Sequence, residues 1–382
     1  MLLLYFLGVI GVITLAPFQF LRPRQVSVLV TGNWADAAAN VLLFVPLGFL
    51  YPLTRAARED PSPAAVFLLG ALLSAAIETT QAFEPARVTS LIDVVTNAAG
   101  AALGAALLAA VSRRIRVNAG LIGRLSLEIP LIGLIYLLVP LLVVASLSAR
   151  QQPLRMLSVL VLGLVGARLI STVQRNHFGP SGLLDSRDAT LVATGWMVLG
   201  SFPVLFSHAA AGVAIVAAVA TTTWFECSRP STITSADRRF EADALRRAAP
   251  YVVAYLLVMI VLPLSAGIRA WRFRVGLAGA MNDIDAQMVG LLEPVAALTV
   301  LGYLLAEARS RRELPFRKVA ARVGLECAGV ALLLEASRAM QRHEAGSVVR
   351  LVLVVAAGVL GAGMYHHQRE HVRWILDRRE LA

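Results

Sequence analysis

Glu78, Gln81, Arg87, Asp93 and Asn97 interrupt two otherwise apolar stretches in the run SAAIETTQAFEPARVTSLIDVVTNAAGAALG, which spans Ser74 to Gly104. Ionisable groups are costly at membrane depth and are rarely placed there without a partner or a task. Glu78 and Gln81 are three residues apart and Asp93 and Asn97 four apart, so on helices each pair shares a face. Arg87 lies in the short connection between them, with a planar fork that suits a two-pronged pair with Glu78 or Asp93. Asn40, early in the preceding apolar stretch, is the neighbouring donor and acceptor. Such a set suits a small polar pocket for a ligand, and equally a network that locks three helices together. Glu78 and Asp93 are also of the type needed for general acid–base work. No nucleophile, metal-ligand set or phosphate-binding loop accompanies them, and no cofactor is expected.

The elements that must position these residues are membrane helices. The chain has 382 residues, 58% hydrophobic and 15% charged, against roughly 25% charged in a soluble domain. Its mean hydropathy is +0.71. Too few polar residues remain to cover a soluble surface, so lipid is the solvent for most of the chain. Apolar windows predict an all-α, polytopic integral membrane helical bundle of about twelve transmembrane helices. They fall near 2–18, 37–53, 64–82, 91–112, 129–148, 154–172, 188–206, 208–225, 251–267, 286–306, 323–340 and 345–365. The seventh and eighth read as a tight hairpin through Ser207 and His208 or as a re-entrant pair. The polar loop 227–249 is expected to hold a short interfacial helix. The first stretch has no basic residues before it and no clear cleavage site after it, so it reads as a retained helix.

The formal net charge is +11. Basic residues concentrate in one alternate set of loops, for example Arg113, Arg114 and Arg116, then Arg238, Arg239, Arg246 and Arg247, then Arg309, Arg311, Arg312, Arg317 and Lys318. That bias places both termini in the cytoplasm and the Glu78–Asn97 cluster near the outer face. No basic run is interleaved with aromatics on a soluble module, so no nucleic-acid partner is expected. Cys227 and Cys327 lie far apart and suggest neither a metal site nor a disulfide framework. His367 and His371 are four apart near the end of the last span, and read as a solvated face.

The chain resembles itself. Without a gap, ALLLEASRAMQRHEAGSVVRLVLVVAAGVLG sets Glu335 in the place of Glu78, Arg338 of Gln81, Glu344 of Arg87, Arg350 of Asp93, Val354 of Asn97 and Gly361 of Gly104. The preceding helices match loosely, NVLLFVPLG against MVGLLEPVA. The expected organisation is therefore a four-helix domain over 1–112, a four-helix block with a cytoplasmic loop over 113–250, and a third block over 251–382 that reads as a degenerate repeat of the first. Within the first, Gly100 and Gly104 form a G-x-x-x-G that lets a neighbouring backbone approach. Pro46 and Gly48 are expected to bend or pack the second helix.

The stretch Asn40 to Gly104 resembles the VanZ-like membrane family, named for a protein linked to teicoplanin resistance. Asn40, Phe44, Pro46 and Gly48 match one signature, and Glu78, Gln81, Arg87, Asp93, Asn97, Gly100 and Gly104 match the E-x-x-Q, R, D-x-x-x-N-x-x-G pattern. The likeness covers about the first 112 residues. It implies a bacterial cytoplasmic membrane and a cell-envelope role linked to tolerance of glycopeptide antibiotics. The expected function is binding of an extracytoplasmic envelope component by Asn40, Glu78, Gln81, Arg87, Asp93 and Asn97. Expected partners are membrane lipid and an envelope glycan or lipid-linked precursor. A secondary transporter or lipid-linked glycan carrier, and a membrane enzyme acting on such a precursor, are the alternatives.

Overall fold

A computed structural model describes residues 2–15, 28–29, 33–53, 62–84, 89–114, 119–175, 185–229, 239–262, 264, 271–275, 284–310, 315–341 and 345–380. The chain forms two compact units, Met1–Arg116 and Val117–Ala382. The second contains both later blocks of the sequence.

The first unit runs α1 (Leu2–Leu15), β1 (Val28–Leu29), α2 (Trp34–Leu53), α3 (Pro63–Gln81), β2 (Thr89–Ser90) and α4 (Leu91–Arg114). Local chemistry sets the start of α3: the Ser62 hydroxyl accepts from the Ala65 amide at 3.2 Å, with Pro63 in the first turn, where its missing N–H is not needed. α4 packs along α2 and against α3. Small residues permit the first of these contacts. A Cβ added at Gly48 would overlap the Ala101 carbonyl, at Gly100 the Val41 carbonyl, and at Gly104 the Val45 carbonyl. α2 and α4 therefore meet backbone to backbone. Pro46 is buried within α2. Outward positions are apolar: Leu68 and Leu72 on α3 and Val95 and Leu103 on α4 are all exposed, as a lipid-facing surface requires.

The second unit runs α5 (Ala119–Gln151), a single 3₁₀ turn (Pro153–Arg155), α6 (Met156–Val173), α7 (Ser186–Ser207), α8 (Ala209–Cys227), α9 (Arg239–Val261), β3 (Phe273–Arg274), α10 (Ile284–Ser310), α11 (Phe316–Ala339), β4 (Gly346–Ser347) and α12 (Val348–Glu380). α5 is its centre. Leu131, Leu134, Leu137, Leu138, Leu141 and Leu142 are all buried, and the helix packs on α6, α7, α10 and α12. α7 and α8 form a tight hairpin through His208 alone. The polar loop expected at 227–249 has no separate helix among its described residues, because α9 begins at Arg239 and runs on through Pro250.

Among the described residues there are twelve α-helices, and nine of them, against the twelve spans expected, are long and apolar enough to cross a membrane. The chain is thus a multi-pass membrane protein. α1 and the apolar part of α9 are shorter than that, and α11 carries Arg317, Lys318, Arg322, Glu326, Glu335 and Arg338 along its length. The two short strand pairs have no sequence counterpart, since two residues cannot show an alternating pattern.

The first unit and the last four helices of the second follow the same plan. β1 pairs in parallel with β2, Val28 opposite Thr89, and β3 pairs in parallel with β4, Phe273 opposite Gly346. α10 packs on α12 as α2 does on α4. A Cβ at Gly302 would overlap the Gly358 carbonyl, and one at Gly361 the Thr299 carbonyl. These contacts correct part of the sequence alignment. NVLLFVPLG against MVGLLEPVA would set Gly48 opposite Ala296, whereas the shared contacts set Gly48 with Gly302 and Val45 with Thr299. Register is fixed where two backbones touch, and an apolar run around a proline carries no such mark.

Candidate functional site

The polar residues of the first unit gather where α3 ends and α4 begins. Ser90 is the hinge of the arrangement. Its hydroxyl accepts from the Asp93 amide at 3.3 Å and donates to the Asp93 carboxylate at 3.1 Å. The Ser90 hydroxyl thus caps the start of α4, while the backbone N–H that Asp93 would accept in a full capping box is left for another carboxylate. The Ser90 amide in turn donates to Glu78 Oε2 at 2.7 Å. Glu78, only 5% exposed, thus holds its negative charge at the positive end of a helix.

The neighbouring helices close around this core. Asn40 on α2 lies beside Asp93, and Asp36, one turn earlier, brings a second carboxylate near it. Gln81 Nε2 donates to the Thr14 carbonyl at 2.7 Å, tying α3 to α1. One turn beyond Asp93, Asn97 Nδ2 donates to Ser74 Oγ at 2.8 Å, and Ser74 Oγ donates to the Asp93 carbonyl at 3.5 Å. Asn97 is 4% exposed, yet its Oδ1 finds no donor among the described residues. Leaving such an acceptor unmet inside a protein costs about 1–3 kcal/mol.

The structure therefore brings together Asn40, Glu78, Gln81, Asp93 and Asn97. Arg87 lies outside the described residues, and so does its expected pairing. Ser74 and Ser90 are members that the sequence reading passed over. Ser74 sits one helical turn before Glu78 on the same face, and S-L-I-D before an apolar run is a capping-box pattern; both signals were present. Among the described residues, no three His, Cys, Asp or Glu side chains group as metal ligands. His366 and His367 both face Glu370 on α12, and the His371 side chain is outside the description.

The corresponding place in the second unit differs in an instructive way. The Ser347 amide donates to Glu335 Oε2 at 2.8 Å, and Ser347 Oγ accepts from the Arg350 amide at 3.2 Å. Glu335 and Ser347 thus repeat the roles of Glu78 and Ser90. Ser337 Oγ donates to the Ile260 carbonyl at 2.6 Å, tying α11 to α9 as Gln81 ties α3 to α1. Arg350, in the place of Asp93, binds Glu335 with two prongs at 2.6 and 2.9 Å. Ala331 and Val354, both buried, replace Ser74 and Asn97. The glutamate and the helix-capping serine belong to the shared fold, and the Ser74–Asn97 pair does not.

Two further buried polar groups in the second unit were not anticipated. Glu293 on α10 takes Arg155 at 2.5 Å, Ser148 at 2.7 Å and Tyr255 at 3.5 Å. Glu226 at the end of α8 takes Arg168 at 2.5 Å and Arg229 at 2.9 Å. Apart from Arg229, three residues after Glu226, these partners are far apart in sequence, and no local pattern reveals them.

Residues 5–112, under a third of the chain, match the model of the VanZ/LLP1 family. The N-terminal region is VanZ-like. No curated protein gives a significant match to the chain, and no solved structure does.

Proposed function

We propose that this VanZ-like unit binds the polar end of a cell-envelope component, with Asn40, Gln81, Asp93 and Asn97 at the ligand and Glu78 holding the start of α4 in place beneath it. The buried Asn97 Oδ1, an acceptor with no donor among the described residues, is the observation that carries this reading. Its neighbours Asp93 and Asp36 are also acceptors. The complementary ligand therefore donates hydrogen bonds, through hydroxyl, amide or ammonium groups such as those of an envelope glycan or a lipid-linked precursor. Buried sites built to hydrogen-bond such groups discriminate strongly against analogues that lack them.

The bias of basic loops supports an outward-facing site, with both termini in the cytoplasm of a bacterial inner membrane. The family likeness supports a link to tolerance of teicoplanin-type glycopeptides. The test is the minimal inhibitory concentration of teicoplanin for a susceptible strain expressing the full chain. Wild type should raise it, and Asn97→Val should return it to the empty-vector value at equal membrane abundance. Full protection by Asn97→Val would overturn the assignment of the site.

A further inference from the structure

Among the described residues, the ends of α6 and α8 set two guanidiniums, Arg168 and Arg229, on one carboxylate. Glu226, 3% exposed, is the acceptor. A single oxygen, Oε1, takes both Arg168 Nη1 at 2.5 Å and Arg229 Nη1 at 2.9 Å, and Arg175 Nη2 stands 3.9 Å from the other oxygen. Even with Arg175 left out of the count, two cations share one anion. Arg168 also donates to the Tyr251 hydroxyl at 3.3 Å from beside its ring. Its Nε is buried and meets no acceptor among the described residues, and Glu226 Oε2 is likewise buried with no hydrogen-bond donor among them.

The depth of this cluster is marked on α8 itself. Trp224 and Phe225, immediately before Glu226, are 47% and 66% exposed. Exposed aromatics of this kind lie at the membrane–water boundary. Arg229, at 66% side-chain exposure, reaches outward from the same turn. Surplus guanidinium at headgroup level, with a donor already buried between helices, is complementary to a phosphate ester. Basic pockets between membrane helices on the cytoplasmic side bind anionic headgroups in this way, and the basic-loop bias puts these helix ends on that side.

We propose that Arg168, Arg175 and Arg229, arranged around Glu226, form a binding site for the phosphate ester of an anionic membrane lipid. Arg168 supplies the buried donor and Arg229 the outer one, while Glu226 keeps the guanidiniums together when no lipid is bound. The site is independent of the VanZ-like region and of the function proposed for it.

The test is native mass spectrometry of the full chain released from nanodiscs of phosphatidylglycerol mixed with phosphatidylcholine. Wild type should retain phosphatidylglycerol preferentially. Arg229→Gln, an exposed change, should lower its apparent affinity about fivefold, and Arg168→Gln/Arg229→Gln should lower it further. Arg317→Gln/Lys318→Gln, an exposed basic pair on α11, should leave it unchanged. Equal retention of the two lipids by wild type would overturn the proposal, as would an unchanged preference in Arg229→Gln. Displacement of the lipid by millimolar glycerol phosphate would overturn the lipid assignment in favour of a free phosphate ester. Because only folded, lipid-bearing protein is read, poor folding of the double variant leaves the wild-type and Arg229→Gln results decisive.

Discussion

Glu78 and Glu335 show how one residue type serves the same architectural task in two electrostatic settings. Each accepts a backbone N–H at the start of the following helix, which satisfies a donor that the helix itself cannot. Glu335 additionally anchors Arg350, whose side chain is only 13% exposed. Removing one member of a buried ion pair strands the other, at about 3–5 kcal/mol, whereas weakening a charged hydrogen bond costs about 1–3 kcal/mol. Both Glu78→Gln and Glu335→Gln should therefore lower the thermal stability of the purified protein, with Glu335→Gln the more damaging. Equal, negligible effects would show that neither carboxylate holds its helix. The sequence made Glu78 conspicuous, because a carboxylate in an apolar run stands out. Its task was hidden, because that depends on where α4 begins, and Ser90 sets that point.

At the scale of elements, the contact between α2 and α4 rests on the absence of side chains. A Cβ at Gly104 would strike the Val45 carbonyl, and α2 would have to retreat; at Gly8 on α1 a Cβ would meet nothing within 4 Å. Gly104→Ala should destabilise the protein by about 1–3 kcal/mol. Gly8→Ala should be neutral or stabilising by up to about 1 kcal/mol, through the better helix propensity of alanine. Thermal unfolding of the two variants side by side checks this, and an equal response would contradict the close approach. The G-x-x-x-G of α4 was legible as a pattern. Gly48 reads in sequence as a bending or packing residue beside Pro46, and the contact it makes is with Ala101 of α4. The helices themselves were legible because long apolar runs leave few alternatives. The two-residue strand pairs and the ion pairs of Glu226 with Arg168 and of Glu293 with Arg155 were not, because they join residues whose proximity arises only after the helices pack.

Taken whole, the molecule makes one set of contacts twice, and the polar pair at Ser74 and Asn97 belongs to the first set alone. Glu–Ser capping, the parallel strand pair and the glycine contacts occur in both. Ser74 and Asn97 occur in one, and Ala331 and Val354 fill their places in the other. In the second, where an alanine and a valine stand in that place, Arg350 on the fourth helix also clamps Glu335 on the third. The Ser74–Asn97 pair also carries a buried acceptor without a donor among the described residues, which under the proposed function is met by the ligand. The most direct measurement is the melting temperature of the full chain with Ser74→Ala/Asn97→Val, in the same detergent as wild type and without added ligand. A pair kept for ligand binding predicts a melting temperature unchanged or raised by a few degrees, at about 2–4 °C for each kcal/mol recovered. A fall of about 5 °C or more, corresponding to at least about 1 kcal/mol lost, would show that the pair holds the helices together and would contradict the account.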